Sequence, residues 1–143
     1  MPDSTPTVHH AAVTVTDLGT VVPFYRDVLG LEVLDRFDVS GDAFAAAVDV
    51  PGASARFVHL DGGGTRIELV EYDPSGEPNT DHGVSVNQPG TAHVGLAVDD
   101  LDRFLEMRSA DLEANGRPRT TASGTRILFC RDPEGNLIEL LES

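Results

Sequence analysis

The sequence predicts an α+β protein made of two copies of one strand-and-helix unit in tandem, and three observations carry that expectation. His10 opens a run of alternating small and apolar residues that closes seven positions later at Asp17-Leu18, and His93 opens a matching run that closes at Asp100-Leu101. Ile67-Glu68-Leu69-Val70-Glu71 is echoed by Ile138-Glu139-Leu140-Leu141-Glu142. Between the two copies, residues 73–90 are polar and carry Pro74, Pro78 and Pro89 with Gly76, Gly83 and Gly90, the composition of a linker. Self-similarity on this scale marks a duplicated structural unit. The expected organisation is therefore a single domain over 1–143, with a first module at 8–72, a linker at 73–90 and a second module at 91–142.

Val8 to Thr16 alternates as a half-buried strand does, with His10, Ala12 and Thr14 on one face and Val13 and Val15 on the other. Asp17 suits an N-cap, and Val21, Val22, Phe24, Tyr25, Val28 and Leu29 continue at helical spacing until Gly30. Pro23 costs little near the first turns of such a helix. Strands are expected next at about 31–39, 43–50, 55–61 and 65–72. The breaks between them fall at Ser40-Gly41-Asp42, Pro51-Gly52 and Asp61-Gly62-Gly63-Gly64. The pattern then restarts with a strand at 91–98. A helix capped by Asp99 or Asp100 should follow, running through Leu101, Phe104, Leu105, Met107 and Leu112 to Asn115-Gly116. Strands near 117–121, 125–131 and 136–142 complete the second copy, the last two joined by a turn at Asp132-Pro133-Glu134-Gly135-Asn136. Each half thus reads strand, helix, then three or four strands.

The bulk composition narrows the function classes. A chain of 143 residues can bury a substantial core, whereas either half alone would be marginal. There are 24 acidic residues against 10 basic ones, a net charge of -14, and every basic residue is an arginine. That field argues against nucleic-acid and anionic-membrane partners. It suits a soluble surface, and beyond that a halophilic cytoplasm in which salt screens the self-repulsion. The single cysteine, Cys130, lies in the apolar run Ile127-Leu128-Phe129-Cys130, reads as a buried small hydrophobe and fits a reducing compartment. No signal-like leader opens the chain and no apolar run reaches membrane-spanning length, so a cytoplasmic location is expected.

The candidate chemistry lies in the repeat itself. His10 and Glu68 in the first half recur as His93 and Glu139 in the second, each histidine beside small residues and each glutamate between apolar neighbours that face the other way. Two imidazoles and two carboxylates suit one borderline divalent ion: zinc, nickel, cobalt, manganese or iron. Duplication can also carry along histidines and glutamates that are merely solvated, and the spacing alone leaves both readings open. His9, His59 and His82 have no counterpart in the other half and read as non-ligands, His9 being the one placed to support its neighbour. Arg66 shares the face of Glu68, where it could meet an anionic substrate group or simply be solvated.

Several of these segments together resemble the vicinal oxygen chelate superfamily, which includes glyoxalase I, methylmalonyl-CoA epimerase, extradiol dioxygenases and bleomycin-resistance proteins. The resemblance covers residues 8–142. It rests on His10 to Leu18, Phe24-Tyr25-Arg26-Asp27-Val28-Leu29-Gly30-Leu31, Ile67-Glu68-Leu69, Gly90 to Leu101, and Asp132-Pro133-Glu134-Gly135-Asn136-Leu137-Ile138-Glu139-Leu140. It implies two βαβββ modules whose curved mixed sheet encloses a metal cleft. It also implies that His10, Glu68, His93 and Glu139 are the ligands of one divalent ion, and that the chain forms a homodimer acting on a small molecule. The modules of one chain could pair together, or the site could form between chains.

A glutamate at position 68 fits the glyoxalase and epimerase branch, since the ring-cleaving dioxygenases leave that place empty. The implied activity is a metal-dependent lyase or epimerase that transfers a proton next to a carbonyl, with Glu139 as base and Glu68 as its symmetric alternative. An Fe(II)-dependent extradiol-type dioxygenase and a non-catalytic drug-binding protein are the other readings the family allows.

Overall fold

A computed structural model describes residues 5–77, 85–108, 111–114 and 116–143, and the chain divides into two compact units, Met1–Pro78 and Asn79–Ser143. His82 lies outside the described residues. No helix among those described is long and apolar enough to cross a membrane.

The first unit is a four-stranded sheet with helices. Strand β1 (His10–Thr14) leads into α1 (Leu18–Pro23), whose N-terminus is capped by the Asp17 carboxylate accepting from the Gly19 N–H at 2.9 Å. Beyond Pro23 the helix widens into a π-helical turn, Phe24–Val28, whose last bond runs from the Leu29 N–H to the Phe24 carbonyl. Proline brings no N–H to the helical ladder, so the wider register begins where the α-helical one is interrupted. Then come β2 (Val33–Val39), α2 (Asp42–Val48), β3 (Ser54–Asp61) and β4 (Arg66–Asp73), in the sheet order β1-β4-β3-β2. β1 lies parallel to β4, and the other pairs are antiparallel.

The register sorts the side chains onto two faces. Val13, Val58, Leu60, Ile67 and Leu69 share one face, and α1, which packs against β4, buries Leu18, Val21 and Val22. On the other face a buried cluster of Ala55, Phe57 and Val70 is joined by Val39, Phe44 and Tyr72.

The strand expected at 43–50 is instead helix α2. Its core, Ala43-Phe44-Ala45-Ala46-Ala47, is rich in the best helix former, and Asp42 stands in the first turn where a negative charge is favoured. Asp49 then ends the helix in a left-handed conformation, its N–H reaching the Ala45 and Ala46 carbonyls. The β3–β4 turn depends on Gly62, where a Cβ would stand 2.6 Å from the Thr65 carbonyl oxygen.

The second unit repeats the plan. β5 (His93–Ala97) leads to α3 (Leu101–Arg108), followed by the short β6 (Glu113–Ala114) and β7 (Arg119–Thr120), then β8 (Arg126–Arg131) and β9 (Leu137–Glu142). The sheet order is β5-β9-β8-β6, with β7 also on β8, and β5 is parallel to β9. The helix is shorter than expected. Glu113 and Ala114, which the helical spacing included, pair instead with Arg131 and Cys130 of β8, while Asn115 is outside the described residues. Backbone pairing to an open strand edge here outweighs local periodicity. The core holds Leu101, Leu128, Cys130, Ile138 and Leu140.

The turn between β8 and β9 is organised by Asp132, which is buried yet fully engaged. Its carboxylate accepts from the N–H groups of Glu134 and Asn136 and from the Asn136 amide, at 2.8–3.0 Å. A buried carboxylate of this kind is satisfied locally, which is the condition for its burial.

Candidate metal centre and its flanking histidines

In each unit the first strand and the last strand run side by side and parallel, and this brings a histidine to a glutamate. Ala12 is the register partner of Glu68, and Gly95 is the register partner of Glu139. Each partner sits two residues after a histidine, hence on the histidine's own face. Because the partner is small, the carboxylate can lie across it toward the imidazole. His10 Nε2 is 3.6 Å from Glu68 Oε1, and His93 Nε2 is 3.3 Å from Glu139 Oε1. The two pairs are copies of one another in topology, in register offset and in the atoms that approach.

The surroundings of the two glutamates differ. Glu68 is also the antiparallel partner of His59, whose ring is buried and whose Nε2 lies 2.8 Å from Glu68 Oε1. The other nitrogen of that ring, Nδ1, is 3.1 Å from Arg66 NH1. A guanidinium can only donate, so His59 Nδ1 accepts and the ring proton sits on Nε2, where it is donated to Glu68. The matching partner of Glu139 is Phe129, which packs edge-on against the His93 ring with centroids 5.1 Å apart. His9 lies beside His10, their Nδ1 atoms 2.8 Å apart, so one of the two rings donates to the other there.

His59, which the sequence reads as a non-ligand, is in direct contact with a candidate site residue. The signal was available in the turn. Counting outward from Gly62–Thr65, the hairpin pairs Asp61 with Arg66, Leu60 with Ile67 and His59 with Glu68.

An aromatic wall borders the first pair on the same face. Phe37 stands edge-on to His59 at 5.1 Å and is stacked on Phe57 at 5.0 Å, and Phe44 of α2 packs behind Phe57.

Among the described residues no three His, Cys, Asp or Glu side chains gather into a ready metal site. His59 donates to Glu68, so the imidazole–carboxylate pairs with electron pairs to offer an ion are His10 with Glu68 and His93 with Glu139. Their spacing fits a shared ion. Two ligand atoms each about 2.1 Å from one metal stand roughly 3.0–3.4 Å apart at right or tetrahedral angles, close to the separations of 3.6 and 3.3 Å seen here. The donor set itself, imidazole nitrogen with carboxylate oxygen, is one that zinc and its neighbours accept.

The profile of the Glyoxalase/Bleomycin resistance protein/Dioxygenase superfamily matches residues 7–140. The chain belongs to this superfamily. Among curated relatives, it is 32% identical to 2-epi-5-epi-valiolone epimerase of an Actinomyces species, over 94% of this chain and 78% of that one. It is 30% identical to the mitochondrial methylmalonyl-CoA epimerase of Mus musculus, over 93% and 71%. Among solved structures, a glyoxalase family protein from Bacillus cereus superposes with a TM-score of 0.83 at 21% identity, over 98% of this chain and 95% of that one. Glyoxalase I of Leishmania major superposes at 0.65 and 24% identity, over 96% and 87%. These two likenesses establish the fold as that of the superfamily, α+β with a repeated module.

Proposed function

We propose that this chain is a metal-dependent enzyme that moves a proton at the carbon beside a substrate carbonyl, as an epimerase or a glyoxalase-like lyase. The observation that carries this reading is the recurrence of one His–Glu pair, with the same register and the same approaching atoms, in both units. His10, Glu68, His93 and Glu139 would hold one divalent ion. When bound, the ion acts as a Lewis acid that makes the carbon next to a coordinated carbonyl more acidic.

The protein residues divide the remaining work. His10 and His93 are fixed donors, since neutral imidazole keeps its electron pair at Nε2 while the other nitrogen carries the proton. Glu139 takes the proton from the substrate carbon and returns it, because its strand partner is a phenylalanine that offers no hydrogen bond to hold the carboxylate. Returning the proton to the neighbouring carbon gives a lyase; an epimerase needs a proton delivered to the opposite face of the enolate, which Glu139 on its own side does not reach and water supplies, Glu139 then passing its proton to solvent. Phe37, exposed and backed by the buried Phe57, offers an apolar surface to the body of the substrate, and Arg66 a positive charge to an anionic group. The names of the two curated relatives described above favour the epimerase outcome.

The decisive experiment follows hydrogen exchange with solvent by NMR, using methylmalonyl-CoA and methylglyoxal hemithioacetal as probes. The metal-loaded wild-type chain should exchange the proton next to the carbonyl of one of them. Glu139→Gln should slow that exchange by about 10²–10⁴-fold, the usual worth of a general base, while still binding metal. Exchange that survives Glu139→Gln, or oxygen uptake with catechols in place of exchange, would overturn the reading.

A further inference from the structure

The two glutamates of the duplicated site are not equivalent, and the difference lies in what faces each of them across the hairpin. Glu68 meets His59, and Glu139 meets Phe129. The His59 ring is only 4% exposed and is held at both ends, 2.8 Å from Glu68 Oε1 and 3.1 Å from Arg66 NH1. The arginine can only give hydrogen bonds, so His59 accepts at Nδ1 and donates from Nε2 to the carboxylate. If Glu68 swung away, a buried N–H would be left without an acceptor. Phe129 places no such restraint on Glu139.

We propose that His59 is a positioning residue: anchored by Arg66, it locks Glu68 as a permanent metal donor and so leaves Glu139 as the carboxylate free to exchange between metal and proton. This rests on the four-donor reading given above and deepens it, since it says how a symmetric duplication acquired two different carboxylates. Arg66 then acts through the imidazole as well as through its charge. One heteroatom pair, present in one half and replaced by a phenyl ring in the other, divides the roles.

The test uses cobalt(II) as the metal and two substitutions at one position. His59→Phe copies the second half into the first, removes the donor and keeps an aromatic ring of similar size. It should weaken cobalt affinity about 10–100-fold, the usual cost of losing a hydrogen bond to a ligand, and alter the cobalt visible absorption spectrum. His59→Gln returns an N–H donor and should recover most of that loss. Phe129→His gives Glu139 a matching donor. It should slow solvent exchange of the substrate proton, while cobalt affinity holds or rises, since a hydrogen bond to a ligand is gained and none is lost. In the metal-free wild-type chain, ¹⁵N NMR should find the His59 proton on Nε2, a measurement that no variant's folding can compromise.

A His59→Phe chain that folds and binds cobalt as tightly as wild type overturns the role of His59 while leaving the metal site intact. So does a folded His59→Gln chain that binds as weakly as His59→Phe, or a ring proton found on Nδ1. A wild-type chain that takes up no cobalt overturns the four-donor site, and this role with it.

Discussion

Cys130 illustrates how much a single residue's behaviour depends on its surroundings. It lies buried on β8, and burial, with the negative charge of Asp132 adding to it, pushes its thiol up to about 11. A thiol so held is almost wholly protonated at neutral pH and does not attack. The native protein should therefore react very slowly with a disulfide reagent at pH 8 and release one equivalent rapidly once unfolded; rapid native reaction would contradict this burial. Because the folded value exceeds the unfolded one, the folded state binds the proton more tightly. The thiol's contribution to stability is whole below pH 9 and is lost as pH rises from about 9 to about 11. Urea midpoints measured across that range should fall. The burial of Cys130 was legible from its apolar run. The contact between His59 and Glu68 is legible only through the hairpin register counted from the Gly62–Thr65 turn, because His59 sits amid the apolar Phe57, Val58 and Leu60 and the alternation of its own strand names no partner.

At the scale of elements, the second glutamate of each repeat has a job unlike that of the first. Glu71 lies near the end of β4 and Glu142 closes β9, and each reaches the start of its unit's first helix. The Leu18 N–H donates to Glu71 Oε1 at 3.0 Å, and the Leu101 N–H donates to Glu142 Oε1 at 2.7 Å. The first N–H groups of a helix have no partner within it, and a carboxylate there meets both that need and the helix dipole. Glu71 also pairs with Arg56. Glu142→Ala should lower stability by about 0.5–2 kcal/mol in urea titrations, the usual cost of removing a helix cap; an unchanged midpoint would deny the capping role. The sequence matched these residues as a repeat without indicating what they bind, since the helix start they cap lies far back along the chain. In α2 the balance went the other way. Gly41 and Pro51 marked the ends of an element correctly, but the alanines inside it follow helical propensity and not the strand pattern around them. Ala45→Gly should cost about 1 kcal/mol there, the usual penalty for glycine inside a helix.

Over the whole molecule, charge is the dominant property. A net charge of -14 with no lysine means that folding concentrates like charges that the unfolded chain keeps apart. Screening shortens the reach of that repulsion from about 10 Å at 0.1 M salt to about 3 Å at 1 M. The melting temperature should therefore climb steadily from low salt to molar potassium chloride, followed by circular dichroism. A flat profile would mean that the acidic surface carries no net repulsion in the fold.

From the sequence alone one can read the duplication, the α+β class, the superfamily and the residue types that recur in both halves. All of these are written in local alternation and in repeats that survive as matching letters. Whether a glutamate is a metal donor, a helix cap or a held partner is decided by which strand lies beside it. His10 approaches Glu68, and His93 approaches Glu139, only because β1 runs parallel to β4 and β5 to β9. His59 and Phe129 face those same glutamates across antiparallel pairs and make the two copies unequal. Register is a property of two strands at once, and one strand's sequence cannot state it.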